Sequence, residues 1–170
     1  LHNEIERCIQ QSGIDWTFLR PGMLASNAVG WWASLIRSGD VVRWPYLSAP
    51  TAPIDNRDIA SVALHALVKT GHAGKDYVLT GPQSLTQLEQ LLTIGQVVGR
   101  EVRVEEISPE ETMQEWAATW PPSVVSMLLK SWHAAIGQPA YVTQRVEEIT
   151  GTPARTFFEW ARDHAEAFRI

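Results

Sequence analysis

Side chains able to do chemistry are spread thinly along this chain of 170 residues. Its five histidines stand at positions 2, 65, 72, 133 and 164, without metal-ligand spacing or a neighbouring cysteine pair, so no metal site is expected. His65 and His164 read as helix histidines with a hydrogen-bond partner. The pairs Glu105-Glu106, Glu110-Glu111 and Glu147-Glu148 put adjacent carboxylates on different faces and read as solvated or capping charges. Asp55 and Asp58 are candidates for acid–base work, although Asp58 sits where a helix favours an acid near its N-terminus. The single cysteine, Cys8, has no partner for an internal disulfide. It reads as a buried structural thiol of a cytoplasmic protein. The glycines give neither G-x-G-x-x-G nor a P-loop, and no G-x-S-x-G elbow occurs, so the chain brings no recognisable phosphate cradle and no nucleophilic serine.

Two stretches carry more. Pro21-Gly22-Met23-Leu24-Ala25-Ser26-Asn27 directly follows a strand-like segment, and open α/β sheets bind ligands outside the carboxyl ends of their strands. A Pro-Gly turn there exposes backbone groups suited to a planar amide. The second is the aromatic set Trp31, Trp32, Trp44 and Tyr46 around Gly39-Asp40, suited to lining an apolar substrate pocket. In a competing reading, Trp31 and Trp32 merely cover a helix face or a subunit interface.

The elements that must position these residues follow from periodicity. Leu1, Ile5, Cys8 and Ile9 repeat as on a helical stripe that Ser12-Gly13 closes. Trp16-Thr17-Phe18-Leu19 reads as a short buried strand ended by Pro21-Gly22. A helix follows Asn56-Arg57-Asp58, carries Ile59, Val62, Ala63, Ala66 and Leu67, and stops at Gly71. Tyr77 to Thr80 is a second strand. Thr86 and Glu89 fit a capping box, with Gln90 where an apolar staple residue belongs, and Leu85, Leu88, Leu92 and Val98 run to a stop at Gly99. Glu101 to Ile107 alternates as a third strand. Ser108-Pro109-Glu110-Glu111 is a strong helix start. Beyond it the chain reads as helical: Met113 to Trp120, Ser123 to Ile136, and a last helix whose stripe of Phe157, Trp160, Ala161, His164, Ala165 and Phe168 must be buried.

The composition, 45% hydrophobic and 19% charged, is that of a globular domain. A net charge of −5 without a basic run argues against nucleic acid and anionic membrane as partners. The longest uncharged stretch, Pro21 to Ile36, falls short of the roughly 20 apolar residues of a spanning helix. A small-molecule partner is expected.

Taken in order, His2-x-x-x-Glu6, then Ser12-Gly13-Ile14-Asp15-Trp16-Thr17-Phe18-Leu19-Arg20-Pro21-Gly22, Asn27, Pro53-Ile54-Asp55-Asn56-Arg57-Asp58-Ile59-Ala60 and Tyr77-Val78-Leu79-Thr80-Gly81-Pro82 resemble the C-terminal part of NmrA-like atypical short-chain dehydrogenases. The closing Thr150-Gly151-Thr152-Pro153-Ala154-Arg155-Thr156-Phe157 is similar to the end of bacterial NAD(P)H-binding members of that family. The resemblance implies an α/β fold in which residues 1–107 form the second half of a Rossmann-like, doubly wound parallel sheet. Residues 108–170 would form a mostly helical, substrate-side region packing on it. The glycine-rich first half lies outside the chain.

By the same resemblance, Pro21, Gly22, Met23 and Asn27 would contact the NAD(P)H cofactor, while the aromatic set Trp31, Trp32, Trp44 and Tyr46 stays the candidate pocket for a small apolar or aromatic substrate. His2 stands where the wider superfamily carries the Lys of its Tyr-x-x-x-Lys pair. It becomes the candidate general acid or a ribose contact. The implied activity is reduction of a quinone or carbonyl by hydride transfer, which rests mainly on geometry. Two alternatives stand beside it: a non-catalytic dinucleotide-binding regulator, and a stand-alone protein with cofactor-free chemistry or a separate partner chain. A homo-oligomer or a second chain completing the Rossmann sheet is expected, because a lone half exposes an edge of a parallel sheet.

Overall fold

A computed structural model describes the backbone of residues 2–169 and the side chains of residues 4–169. It is α/β, as expected, with a parallel pair at the expected place. Strand β1 (Thr17–Pro21) runs parallel to β4 (Lys75–Leu79), in the register Thr17 with Lys75 to Pro21 with Leu79. Helix α3 (Asn56–Val68) and the short α7 (Arg145–Thr150) pack with this pair around Ile54, Val62, Leu79 and Val146. Among the described residues β4 is the sole ladder partner of β1. The expected buried strand is therefore half-exposed, and its flat Trp16 and Phe18 rings stack on each other at 4.3 Å.

The third expected strand is shorter and lies elsewhere. Only Val104–Glu106 (β6) is extended, and it pairs in parallel with β2 (Val42–Trp44), apart from the β1–β4 ladder. The pairing sets Trp44 opposite Glu106 with its ring buried in the core. A third, antiparallel ladder joins β3 (Pro50–Thr51) to β5 (Leu85–Thr86). Helix α2 (Asn27–Ser38) is not among the expected elements: Val29, Trp32, Ala33 and Ile36 stand at helical spacing, but Gly30 interrupts the segment and no side-chain cap marks its start. It buries Ala28, Trp32, Ala33 and Ile36 and ends at Gly39, whose φ of 75° is open to glycine at little cost.

The larger core collects α2, β2, α4 (Gln87–Val98), α6 (Pro122–Ala135) and α8 (Phe157–Asp163). Its centre is a knot of tryptophans: Trp44 lies 5.4 Å from Trp31, 5.4 Å from Trp32, 4.7 Å from Trp116 and 5.7 Å from Trp132. Such tilted and edge-on contacts add to the area term of aromatic burial. The closing stripe is buried as its spacing requires, but the helix stops at Asp163 and a 3-10 turn (Ala165–Ala167) completes the face through Phe168. Capping boxes at Thr86, Ser108 and Thr156 are each formed with both bonds. Gln90, in the staple position, is buried and donates to Thr51 Oγ1 at 2.9 Å and to the Leu85 carbonyl at 3.1 Å, a polar clamp in place of an apolar contact.

Helix α1 (His2–Gln11) corrects one expectation. Ile5 is 50% exposed and Cys8 is exposed, because no described element covers this face. Cys8 is thus not a buried thiol. No helix among the described residues is long and apolar enough to cross a membrane.

Candidate functional site

A cleft of about 320 Å³ opens at the carboxyl ends of β1 and β4. Gly22 and Met23 form one wall and Thr80 the floor beside them. Pro50, Thr51 and Ala52 supply a second wall, and the i, i+3, i+4, i+7 face of α6, Leu128, Ser131, Trp132 and Ala135, supplies the third. Tyr141 stands at the mouth. A wider hollow of about 640 Å³ lies at the other end of β1, lined by Trp16, Thr17 and the end of α3. It is at the amino end of the strand, where α/β folds do not place their ligands.

The cleft is held open by close backbone contacts. Gly22 N–H bonds the Leu79 carbonyl at 2.9 Å, Ile54 N–H bonds the Met23 carbonyl at 2.9 Å, and Gly81 N–H bonds the Ala52 carbonyl at 3.1 Å. A Cβ at Gly81 would sit 2.0 Å from the Pro53 carbonyl oxygen, so only glycine lets the second wall approach the end of β4. At Gly22 a Cβ would meet nothing nearer than 3.7 Å, and its φ is not in the left-handed region. The fold itself does not require glycine there; what the missing side chain provides is room in the cleft wall. Two of the turn groups expected to receive an amide are already used, the Gly22 N–H and the Met23 carbonyl. Among the described residues the neighbouring Gly22 carbonyl and Met23 N–H have no protein partner.

The candidate residues are partly brought together. Gly22 and Met23 line the cleft, Pro21 ends β1 and does not, and Asn27 acts on Met23 by donating from Nδ2 to its Sδ at 3.1 Å. The His2 side chain lies outside the described residues. Trp31, Trp32, Trp44 and Tyr46 do not line the cleft. Trp32 and Trp44 are buried in the core, where Trp44 Nε1 donates to Gln87 Oε1 at 2.6 Å. Trp31 meets Trp132 edge-on at 5.8 Å. Tyr46 has the left-handed φ of 51°, a conformation costly for a bulky residue. The buried Gln87 amide holds that turn by donating to the Pro45 and Tyr46 carbonyls at 3.2 and 2.9 Å. Trp32 and Trp44 are therefore core, with Trp31 and Tyr46 packed partly buried against it. Trp132 is the tryptophan that reaches the cleft; it is buried and its Nε1–H has no partner among the described residues. Its signal was the i, i+3, i+4, i+7 spacing on α6, a face the sequence leaves unassigned.

Asp55 and Asp58 are structural. Asp55 caps α3, accepting from Arg57 N–H at 2.8 Å and from the Arg57 guanidinium, which also reaches Asp163 at 2.9 Å. Burial pushes the Asp55 carboxyl up, and the Arg57 hydrogen bonds outweigh it, holding the group below the ordinary carboxylate range. Asp58 is 2% exposed and takes Arg155 N–H at 2.8 Å together with the Arg155 guanidinium. The Asn56-Arg57-Asp58 and Thr150 to Phe157 signatures, far apart in sequence, are thus one fastening. His65 and His164 bond the carbonyls four residues back at 2.9 and 2.8 Å, as helix histidines do.

No family model matches the chain. Over 166 residues it is 42% identical to the (4-alkanoyl-5-oxo-2,5-dihydrofuran-3-yl)methyl phosphate reductase of Streptomyces griseus, covering 97% of this chain and 58% of that protein. The homologues and structural neighbours of this chain are NmrA-like reductases of the atypical short-chain dehydrogenase type. A second such relative, the NAD(P)H azoreductase of Xenophilus azovorans, is 36% identical over 168 residues, again 97% of this chain and 58% of the relative. The chain therefore spans a little over half the length of these two relatives. Its fold is that of the Escherichia coli NADPH-dependent quinone oxidoreductase in complex with NADPH, with a TM-score of 0.79 at 22% identity over 96% of this chain and 58% of that one. The Citrobacter triphenylmethane reductase in complex with NADP(H) follows, with a TM-score of 0.75 at 20% identity over 96% and 57%.

Proposed function

We propose that this chain carries the nicotinamide-facing turn and the acceptor wall of an NAD(P)H-dependent reductase acting on small, flat, apolar acceptors such as quinones. The observation that carries this reading is the cleft itself: a glycine that the fold does not need, beside an adjacent free carbonyl and N–H, faces an apolar helix wall. The carboxamide of a nicotinamide can be met by either group, its NH₂ donating to the Gly22 carbonyl or its oxygen accepting from Met23 N–H, since the two point to opposite sides of one trans peptide. Asn27 keeps the Met23 side chain to one side. The dinucleotide, when bound, supplies the hydride. This chain's residues orient the acceptor and exclude water, which for hydride transfer is most of the task. The two curated reductases similar to this chain support the same reading.

The reading extends to partners and setting. β1 has an open side, and Ile14, Leu67 and Val68 are 63%, 84% and 68% exposed, an edge suited to a second copy or a separate chain that completes the sheet. The setting is cytoplasmic, where the lone Cys8 stays reduced. Native mass spectrometry of the full chain with added NADPH, followed by NADPH oxidation with a quinone, tests all of this. Bound dinucleotide with turnover supports the reductase; bound dinucleotide without turnover marks a regulator. A bare monomer that binds no dinucleotide refutes the proposal.

A further inference from the structure

The cleft has four hydroxyl groups, and three of them already take part in hydrogen bonds. Ser131 Oγ donates to the Met127 carbonyl at 2.9 Å, so its proton points back along α6. Thr51 Oγ1 receives the Gln90 amide at 2.9 Å, and Thr80 Oγ1 receives the Thr143 N–H at 2.9 Å; each keeps an O–H that can donate a hydrogen bond, but an aliphatic hydroxyl does not give up its proton. Tyr141 differs in kind. Of the residues lining the cleft it is the one with a titratable side chain, and its hydroxyl has no hydrogen-bond partner among the described residues. It is 74% exposed, yet its backbone is fixed. On one side Ala140 N–H bonds Ser84 Oγ at 2.8 Å. On the other, Thr143 is held to Thr80 and, through its own hydroxyl, to the Val78 carbonyl at 3.0 Å. A large ring is thus carried at the mouth of an apolar cleft by a segment pinned on both flanks.

We propose that Tyr141 is the catalytic residue of the acceptor side, whose phenolic O–H donates a hydrogen bond and then a proton to the oxygen of a quinone or conjugated carbonyl held between Met23 and Trp132. This rests on the reductase reading above. When the acceptor receives a hydride from a reduced nicotinamide dinucleotide, the displaced π pair moves to its oxygen. That oxygen takes the Tyr141 proton, the O–H pair stays behind as phenolate, and the phenolate regains a proton from the water to which it is open. The acceptor gains one hydride and one proton and is reduced by two electrons, and the dinucleotide is oxidised by two. The ring also supplies a flat face against which a planar acceptor can rest.

The test compares the full chain with Tyr141→Phe and Tyr141→Ala, using menadione as the probe. Quenching of tryptophan fluorescence reports binding in the absence of dinucleotide, and NADPH oxidation with menadione reports turnover. Because the side chain is exposed, both variants should melt with the unsubstituted chain. Tyr141→Phe should bind menadione within about threefold of the unsubstituted chain and lose turnover by about 100-fold. Tyr141→Ala should also weaken binding by about tenfold. Full turnover by Tyr141→Phe overturns the proton role, and unchanged binding by Tyr141→Ala overturns the placement. If the unsubstituted chain binds menadione but oxidises no NADPH, the reductase reading fails, and the binding comparison still decides whether Tyr141 faces the ligand.

Discussion

The same substitution, Gly to Ala, should have opposite consequences at the two glycines flanking the cleft. At Gly81 the added Cβ would lie 2.0 Å from the Pro53 carbonyl oxygen and 2.8 Å from its carbon, both backbone atoms that no rotamer change can move aside. Relief requires parting the 50–54 segment from the end of β4, which stretches the Gly81 N–H bond to the Ala52 carbonyl. Overpacking of this kind costs about 1–3 kcal/mol, and the weakened hydrogen bond about 1 kcal/mol more. We therefore expect Gly81→Ala to lose about 3 kcal/mol, a fall in Tm of roughly 6–12 °C for a domain of this size. At Gly22 the nearest atoms to a new Cβ are at 3.7 and 3.9 Å, ordinary contacts. Gly22→Ala should thus hold stability within about 1 kcal/mol, with a gain possible from the stiffer unfolded chain, while narrowing the cleft. Thermal melts followed by circular dichroism, with urea titrations for the free energies, read both. A Gly81→Ala protein melting within about 2 °C of the unsubstituted chain would refute the close-approach argument.

Arg155→Ala should strand the buried Asp58 carboxylate and cost about 2–3 kcal/mol in urea denaturation. Removing the Thr86 side chain in Thr86→Ala breaks a capping box and should cost about 1 kcal/mol, read the same way. Asp55 is held below its ordinary range in the folded chain, so its contribution to stability is fully present above about pH 4, its unfolded value, and is lost as pH falls through the lower folded value. Acid titration of the melting temperature should show that loss, and Asp55→Asn should flatten it. Cys8, being exposed, should react with a thiol reagent in the native protein as fast as in urea; strong native protection would contradict the exposure of α1.

What was legible in the sequence was whatever local chemistry fixes. The capping boxes at Thr86 and Ser108, the β1 and β4 strands and the closing apolar stripe all follow from neighbours within a few residues. The Pro21 to Asn27 turn could be assigned to a ligand because it follows a strand, and Gly22 and Met23 do line the cleft. Which turn groups stay free could not be read, since Leu79 and Ile54, partners distant in sequence, decide it. The aromatic set misled for a related reason. A tryptophan whose element is not evident from the sequence looks available for a ligand until its partners are known, and Trp116 and Trp132 come from helices far along the chain. Tyr141 lies in an irregular segment with no periodicity, and its place is set by side-chain anchors on Thr80 and Ser84.

The three ladders are interleaved: β1, β2 and β3 are all laid down before β4, β5 and β6 close them, and partners in the two parallel pairs stand roughly 60 residues apart. The β1–β4 and β3–β5 ladders can close once residue 86 exists, whereas β2 waits for β6 at Val104–Glu106. Pairing over such separations is slow and leaves strand edges bare in the meantime. The interleaving also means that a cut anywhere between β3 and β4 would separate every strand from its partner, so a protease nick in that interval should unmake the molecule as a whole rather than release a stable half.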